Sequence, residues 1–83
     1  MKILYFALLR QRVGIGEETI ETPEDVTTVL GLVDWLRQRG PAFSEALMDI
    51  DAFRVAVDQE FADMDTVLRG DEEVAFFPPM TGG

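Results

Sequence analysis

The sequence predicts a small α+β domain in which one main helix packs across one face of a mixed β-sheet. Its 83 residues are enough for one hydrophobic core. Short segments rich in β-forming residues occur in both halves of the chain, and one central segment repeats apolar residues every three or four positions. A sheet covered by one helix is the simplest two-layer arrangement that buries both patterns.

Two strands are predicted in the first part of the chain. Residues 2–9 form an apolar run, which predicts a central strand with both faces covered. A polar connector at residues 10–16, with room for one helical turn, contains Gly14 and Gly16, where the chain can reverse. Residues 17–22 alternate and predict a half-exposed strand, so that the two strands form a hairpin.

The central segment predicts the main helix. Thr27 or Thr28 can cap its N-terminus, and Gly40 with Pro41 ends it near residue 39. A second, shorter helical segment of one or two turns is predicted at residues 41–48. The apolar face of the main helix is expected to consist of Val26, Val29, Leu30, Val33 and Leu36.

The remaining segments complete the sheet. Residues 53–57 alternate as a third strand and lead into a tight turn at residues 58–60. Phe61 begins a short segment that the pattern determines weakly, residues 69–71 form a turn, and residues 73–77 predict the final strand. The order β-β-α-β-β is that of the ubiquitin-like β-grasp fold. We therefore expect a β-grasp domain at residues 1–77 and an extended, flexible C-terminal tail at residues 78–83.

Composition narrows the possible functions. The net charge of −9 and the lack of a basic cluster argue against nucleic-acid binding. No apolar stretch is long enough to span a membrane, and the N-terminal residues lack a signal-peptide pattern, so we expect a cytoplasmic protein. Histidine and cysteine are both absent, which removes the usual general base, thiol nucleophile and zinc ligands. No metal site is predicted.

Carboxylates are the remaining candidates for side-chain catalysis. They occur in three clusters within turns or at strand edges, where solvated acidic residues are normal, and we interpret them as such. The clusters are Asp49/Asp51, Asp63/Asp65 and Asp71/Glu72/Glu73.

The C-terminal residues have the most specific composition. Pro78 and Pro79 are stiff and extended, and the tail beyond the final strand is long enough to enter the active site of another protein. Gly82 and Gly83 lack a Cβ, so they can pass a narrow channel and leave the terminal carboxyl group unshielded. We therefore hypothesise that a partner adenylates Gly83 and that a sulfur or amine nucleophile then displaces AMP.

This ending resembles that of a known family. Residues 71–83, DEEVAFFPPMTGG, are close to the family pattern Gly-Asp-Glu-Val-Ala-hydrophobic-Phe-Pro-Pro-x-(Ser/Thr)-Gly-Gly, with Gly70 preceding and one extra acidic residue. The segment YFALLR at residues 5–10, followed by Gly14, resembles the family's aromatic first strand and arginine-bearing turn, and is less specific. Over essentially its full length the chain resembles the small, sulfur-carrying subunit of molybdopterin synthase.

The resemblance implies a carrier cycle without a cofactor bound to this chain. An E1-like adenylating enzyme would use ATP and magnesium to form the acyl-adenylate of Gly83, and a sulfurtransferase system would convert it to a thiocarboxylate. The tail would then enter the large synthase subunit and deliver sulfur to cyclic pyranopterin monophosphate, twice per molybdopterin. The large subunit would supply the catalytic side chains, in a heterotetramer built around a dimer of large subunits.

The resemblance also suggests which residues contact partners. An apolar patch on the outer face of the sheet would dock on the large subunit, and the tail would continue into it. Alternation leaves a second interpretation open, in which the aromatic residues of the patch are part of the core. Arg10 either contacts the adenylating enzyme or is only a solvent-exposed residue of the turn. The expected contact residues are Phe6, Phe61 and Phe77, followed by Pro78, Pro79, Met80, Thr81, Gly82 and Gly83.

Other functions stay open at this point. A sulfur carrier for thiamine synthesis shares the fold and the Gly-Gly end but is usually shorter and lacks the Phe-Phe-Pro-Pro ending. A ubiquitin-like protein modifier would use the same activated end to acylate lysines. A non-enzymatic interaction module with an accidental Gly-Gly end is the third alternative.

Overall fold

The computed structural model describes residues 1–79. The predicted site residues Met80, Thr81, Gly82 and Gly83 lie outside the described residues. Within residues 1–79, no helix is long and apolar enough to cross a membrane.

The described residues form one mixed sheet of five strands. These are β1 (Lys2–Tyr5), β2 (Glu17–Thr19), β3 (Arg54–Val57), β4 (Glu60–Ala62) and β5 (Glu73–Phe77), in the order β2-β1-β5-β3-β4. The last strand is central: it runs parallel to β1 and antiparallel to β3. Helices α1 (Ala7–Val13), α2 (Val29–Arg37) and α3 (Pro41–Ala46) accompany the sheet. The predicted β-grasp fold is confirmed.

The core lies between the sheet and α2. The register places Tyr5 beside Phe76 across the parallel pair and Val55 beside Phe76 across the antiparallel pair, so one face of the three central strands is apolar. The rings of Tyr5 and Phe76 stack with their centroids 6.0 Å apart. The fully buried side chains on the strands and α2 are Ile3, Tyr5, Val29, Leu32, Val33, Leu36, Val55, Val74 and Phe76.

The apolar face of α2 differs from the prediction at one position. Val29, Val33 and Leu36 are buried as expected, but Leu30 is 41 % exposed and Leu32 is fully buried instead. Both stripes fit a helical repeat, and the direction of the sheet selects the stripe containing Leu32. The N-terminus follows the prediction, because the Thr28 hydroxyl oxygen accepts a hydrogen bond from the Gly31 N–H at 3.1 Å. The helix ends at Arg37, two residues earlier than predicted.

The first predicted strand is too long. β1 ends at Tyr5, and Leu8 and Leu9 belong to α1 rather than to the sheet. Residues 7–12 are Ala, Leu, Leu, Arg, Gln and Arg, all of which favour helices more than strands. Gly14 ends α1 in a left-handed conformation, with its N–H bonded to the Arg10 carbonyl at 2.9 Å.

The other boundaries need smaller changes. β2 stops at Thr19, three residues before the predicted end, and α3 spans two turns at most, with Pro41 in its first turn. The predicted tight turn joins β3 to β4 through Asp58 and Gln59, which both have positive φ, as a two-residue hairpin loop requires. The weakly determined segment at Phe61 is β4.

A polar network anchors β2 to the helices. The Tyr5 hydroxyl donates to the Glu18 carboxylate at 2.8 Å, and Arg39 bonds the same carboxylate at 2.8 Å. The Arg39 guanidinium also lies over the rings of Trp35 and Phe43, 5.2 Å and 4.7 Å from their centroids. Burial and the hydrogen bond to Glu18 raise the pKa of Tyr5 well above its ordinary value. The buried hydroxyl is therefore a neutral donor with its partner in place.

Glu72 closes the turn that leads into β5. Its carboxylate accepts hydrogen bonds from the N–H groups of Arg69 and Gly70 at 2.7 and 2.8 Å, and the residue is only 8 % exposed. The expectation that this residue is a solvated acid is therefore wrong. Burial raises the pKa of Glu72, but the backbone N–H groups outweigh burial and hold its pKa below the ordinary value.

We predict that Glu72→Gln destabilises the fold in a pH-dependent way. Near neutral pH the loss of charged hydrogen bonds should cost about 1.5–3 kcal/mol of unfolding free energy. Because the pKa of Glu72 is lower in the folded state, its contribution is present above the unfolded pKa, ~4.3, and is lost as the pH falls through the folded pKa.

Urea unfolding near neutral pH and in acid measures this difference. The control variant is Glu60→Gln, because Glu60 is exposed on β4. The gap between wild type and Glu72→Gln should shrink in acid. An equal gap under both conditions would contradict the role of the ionised carboxylate.

Candidate functional site

The candidate site begins where β5 ends. β5 is held on both sides up to its last residues: Arg54 of β3 pairs with Phe77 across the antiparallel ladder, and the N–H of Phe6, directly after β1, donates to the Phe76 carbonyl at 3.0 Å. Pro78 and Pro79 follow, half-buried and outside the sheet. Because proline has no N–H to donate, these two residues end the strand at Phe77. The chain therefore leaves the sheet from a fixed point.

Strand alternation places a group of aromatic side chains on the face of the sheet opposite α2. We call Phe6, Phe61 and Phe77 the outer patch. Phe6 is 48 % exposed, Phe61 is 78 % exposed and Phe77 is half-buried. The rings of Phe61 and Phe77 lie 5.7 Å apart at 56°. The interpretation of Phe6 and Phe61 as core residues is therefore wrong, and their contact with a partner stays a prediction.

Each residue of the outer patch comes from a different element. Phe6 lies at the junction of β1 and α1, where Ala7 has a positive φ of 53°. Phe61 is the middle residue of β4 and pairs with Ala56 on β3, which in turn pairs with Ala75 on β5. Phe77 is the last residue of β5. The fold thus gathers side chains from both halves of the chain around the start of the tail.

Arg10 lies at one margin of the outer patch. It is exposed on α1, and with Leu4, Phe6, Ile15 and Gly16 it lines a surface groove. A Cβ at Gly16 would be 2.9 Å from the Arg10 Nε, so the missing side chain of glycine lets the guanidinium lie against the loop. This position fits both interpretations of Arg10, and its contact with an adenylating enzyme stays a prediction.

Arg54 lies at another margin and was missed by the sequence analysis. It is exposed in β3 and directly opposite Phe77 in register. Two sequence signals could have located it, because residues 53–57 alternate and an antiparallel pairing with the final strand would set Arg54 on the face of Ala56.

The remaining acidic clusters serve turns. Asp49 accepts the Asp51 N–H at 2.9 Å, and the Thr66 hydroxyl donates to Asp63 at 3.0 Å. The hydrogen bond that the carboxyl groups of Asp63 and Asp65 form when one of them is protonated lowers the pKa of Asp63 and raises the pKa of Asp65. Both are exposed. In the part of the chain that the structure describes, no three potential ligands cluster so as to hold a metal ion.

The chain is similar to known small proteins over nearly its whole length. The model of the ThiS family matches residues 3–83. The molybdopterin synthase sulfur carrier subunit of Escherichia coli (strain K12) is 36 % identical over 83 residues, which cover 100 % of this chain and 99 % of that protein.

Two solved structures share the fold over nearly the whole chain. SAMP1 from Haloferax volcanii has a TM-score of 0.78 and 26 % identity, covering 100 % of this chain and 98 % of that one. The putative molybdopterin converting factor, subunit 1, from Pyrococcus furiosus has a TM-score of 0.70 and 27 % identity, covering 95 % of each chain.

Removing a phenylalanine ring should reduce the unfolding free energy much more on the buried face of the sheet than on the outer face. Phe76→Ala should cost about 3–5 kcal/mol of unfolding free energy, because the ring is fully buried. Phe61→Ala should change the unfolding free energy by less than ~1 kcal/mol, because that ring is largely exposed. Urea denaturation of both variants measures the contrast. A loss for Phe61→Ala as large as that for Phe76→Ala would contradict the assignment of Phe61 to the outer face.

Proposed function

The chain belongs to the ThiS family, and on that basis we propose that it is the sulfur carrier subunit of a molybdopterin synthase. The observation that carries the proposal is the full-length similarity to proteins of that name, including 36 % identity to the E. coli subunit, which extends through the C-terminal residues. A thiamine-pathway carrier is less well supported, since the Phe-Phe-Pro-Pro ending distinguishes this chain from that class.

The proposed chemistry takes place at the carboxyl group of Gly83. A free carboxylate resists nucleophiles, so an E1-like enzyme first activates it with ATP and magnesium. The carboxylate oxygen attacks the α-phosphorus of ATP, pyrophosphate leaves, and an acyl-adenylate forms. Hydrosulfide (HS⁻) supplied by a sulfurtransferase system then attacks the carbonyl carbon, AMP leaves with its bonding electron pair, and loss of the sulfur-bound proton leaves a thiocarboxylate. This chain has no cysteine that could capture the activated carbonyl.

In the proposed delivery step, the body of the domain positions the tail. The outer patch docks on the large synthase subunit, and residues 78–83 extend from the end of β5, roughly 20 Å if fully extended. The thiocarboxylate reaches a catalytic pocket supplied by the large subunit, where its sulfur passes to cyclic pyranopterin monophosphate. Two carriers deliver one sulfur each to complete the dithiolene.

One structural neighbour supports protein modification as a second candidate function. SAMP1 of H. volcanii, a small archaeal modifier protein, has a TM-score of 0.78 to this chain. The same activated carbonyl would then be attacked by a lysine amine, which forms an isopeptide bond and releases AMP. The two functions share the activation step and differ in the nucleophile.

The carrier function predicts a defined mass change. When the chain is co-expressed with the adenylating enzyme and a sulfur source, its intact mass should rise by the difference between one sulfur atom and one oxygen atom. Deletion of Gly83 should abolish the change, because the reactive carbonyl is then displaced by one residue. Mass spectrometry of the intact protein is the measurement.

The same spectra separate the two candidate functions. A modifier would yield isopeptide-linked products with lysines of other proteins and would not accumulate the thiocarboxylate. An unchanged mass in the presence of active partners would overturn both.

Docking through the outer patch predicts that Phe77→Ala weakens binding to the large synthase subunit by more than ~1 kcal/mol, as expected for an aromatic anchor. Val67→Ala is the matched control, because Val67 is an exposed apolar residue that pairs with Thr28 outside the outer patch. Isothermal titration calorimetry measures both affinities. Equal affinities of Phe77→Ala and wild type would refute the placement of Phe77 in the interface.

A further inference from the structure

Among residues 1–79, Arg54 is an exposed cation without an ion-pair partner, in a strongly acidic chain. The sequence has sixteen acidic residues and seven basic ones, and the described ion pairs engage Lys2, Arg37 and Arg39. Across residues 1–79, Arg54 forms no ion pair, and its guanidinium donates only to the carbonyl of Phe53 at 3.3 Å. Asp51 and Asp63 line the same surface cleft but do not pair with it. Most of its hydrogen-bonding capacity is therefore not used by residues 1–79.

The position of Arg54 links this cation to the start of the tail. Arg54 lies opposite Phe77 in register, and strand alternation sets it on the face of the sheet that carries the outer patch. Phe77 also contacts the ring of Phe61 on β4. A protein that covers these two rings must therefore pass within reach of the guanidinium.

Charge determines what kind of group would fit there. A guanidinium binds a carboxylate with two parallel hydrogen bonds, and arginine is enriched in protein interfaces. The net charge of −9 repels an acidic surface over most of this chain. An acidic group on a partner is therefore favoured beside an exposed cation such as Arg54 and disfavoured over the acidic remainder of the surface, which restricts the orientation of the docked partner.

We propose that Arg54 pairs with a carboxylate of the protein that receives the tail, at the edge of the apolar surface that covers the outer patch. This inference rests on the proposed function, since it takes the large synthase subunit as the receiving protein. The pair orients the carrier so that the residues after Phe77 point into the partner, and it accelerates association. It involves no covalent step.

The test compares Arg54→Gln and Arg54→Glu in binding to the large synthase subunit, at low and at high ionic strength. At low salt, Arg54→Gln should slow association about fivefold, and Arg54→Glu should slow it further, because a rim charge acts mainly on the association rate. The difference from wild type should shrink at high salt, where charges are screened.

The matched control is Arg69→Gln, which makes the same change in net charge. Arg69 is exposed at the turn before β5, at the opposite end of that strand from Phe77. It should leave the association rate close to that of wild type. Circular dichroism and urea unfolding establish that all three variants are folded.

The outcomes separate this inference from the proposed function. If Phe77→Ala weakens binding while Arg54→Glu associates like wild type at both salt concentrations, the role of Arg54 is wrong and the carrier function stands. Equal effects of Arg54→Gln and Arg69→Gln would show that only net charge matters, which also overturns it. If the wild-type chain neither acquires a thiocarboxylate nor binds the large subunit, the proposed function itself fails.

Discussion

The pairing of β5 on both sides is the constraint on which the rest of the structure depends. The strand is central, parallel to β1 and antiparallel to β3, so its hydrogen bonds join the first and last parts of the chain. A parallel pair needs a crossover between its strands, and here the crossover contains the helices that cover the core. The start of the tail is consequently fixed only when the whole domain has folded.

Because side chains alternate along β5, one face of the strand is buried in the core and the other faces outward. Val74 and Phe76 are fully buried and hold the strand against α2, whereas Phe77 faces outward beside Phe61. Stability and the proposed recognition of a partner therefore depend on adjacent residues of one strand and share no side chain. This separation lets the outer face carry exposed aromatic rings, which a monomeric domain would otherwise bury.

The sequence predicts an element correctly where its pattern is compatible with only one structure. The final strand at residues 73–77 has the predicted bounds, because alternation and the following prolines agree. The prediction is wrong or incomplete where two structures are compatible with the same pattern. Leu8 and Leu9 extend an apolar run that suits a strand or a buried helix, and Leu30 and Leu32 each complete a helical stripe. Glu72 resembled a solvated acid because only the folded turn brings the two N–H groups to its carboxylate. Whether the side chains of Phe6 and Phe61 lie in the core or on the surface depends on the order of the strands in the sheet.

In the proposed function, the folded body positions the tail and the C-terminal carbonyl carries out the chemistry. A single-turnover assay with the thiocarboxylated chain, the large synthase subunit and cyclic pyranopterin monophosphate tests this claim most directly. We expect one dithiolene product for every two chains consumed, and none from a folded chain that lacks Gly82 and Gly83. Product formation by the truncated chain at the rate of the intact one would contradict it.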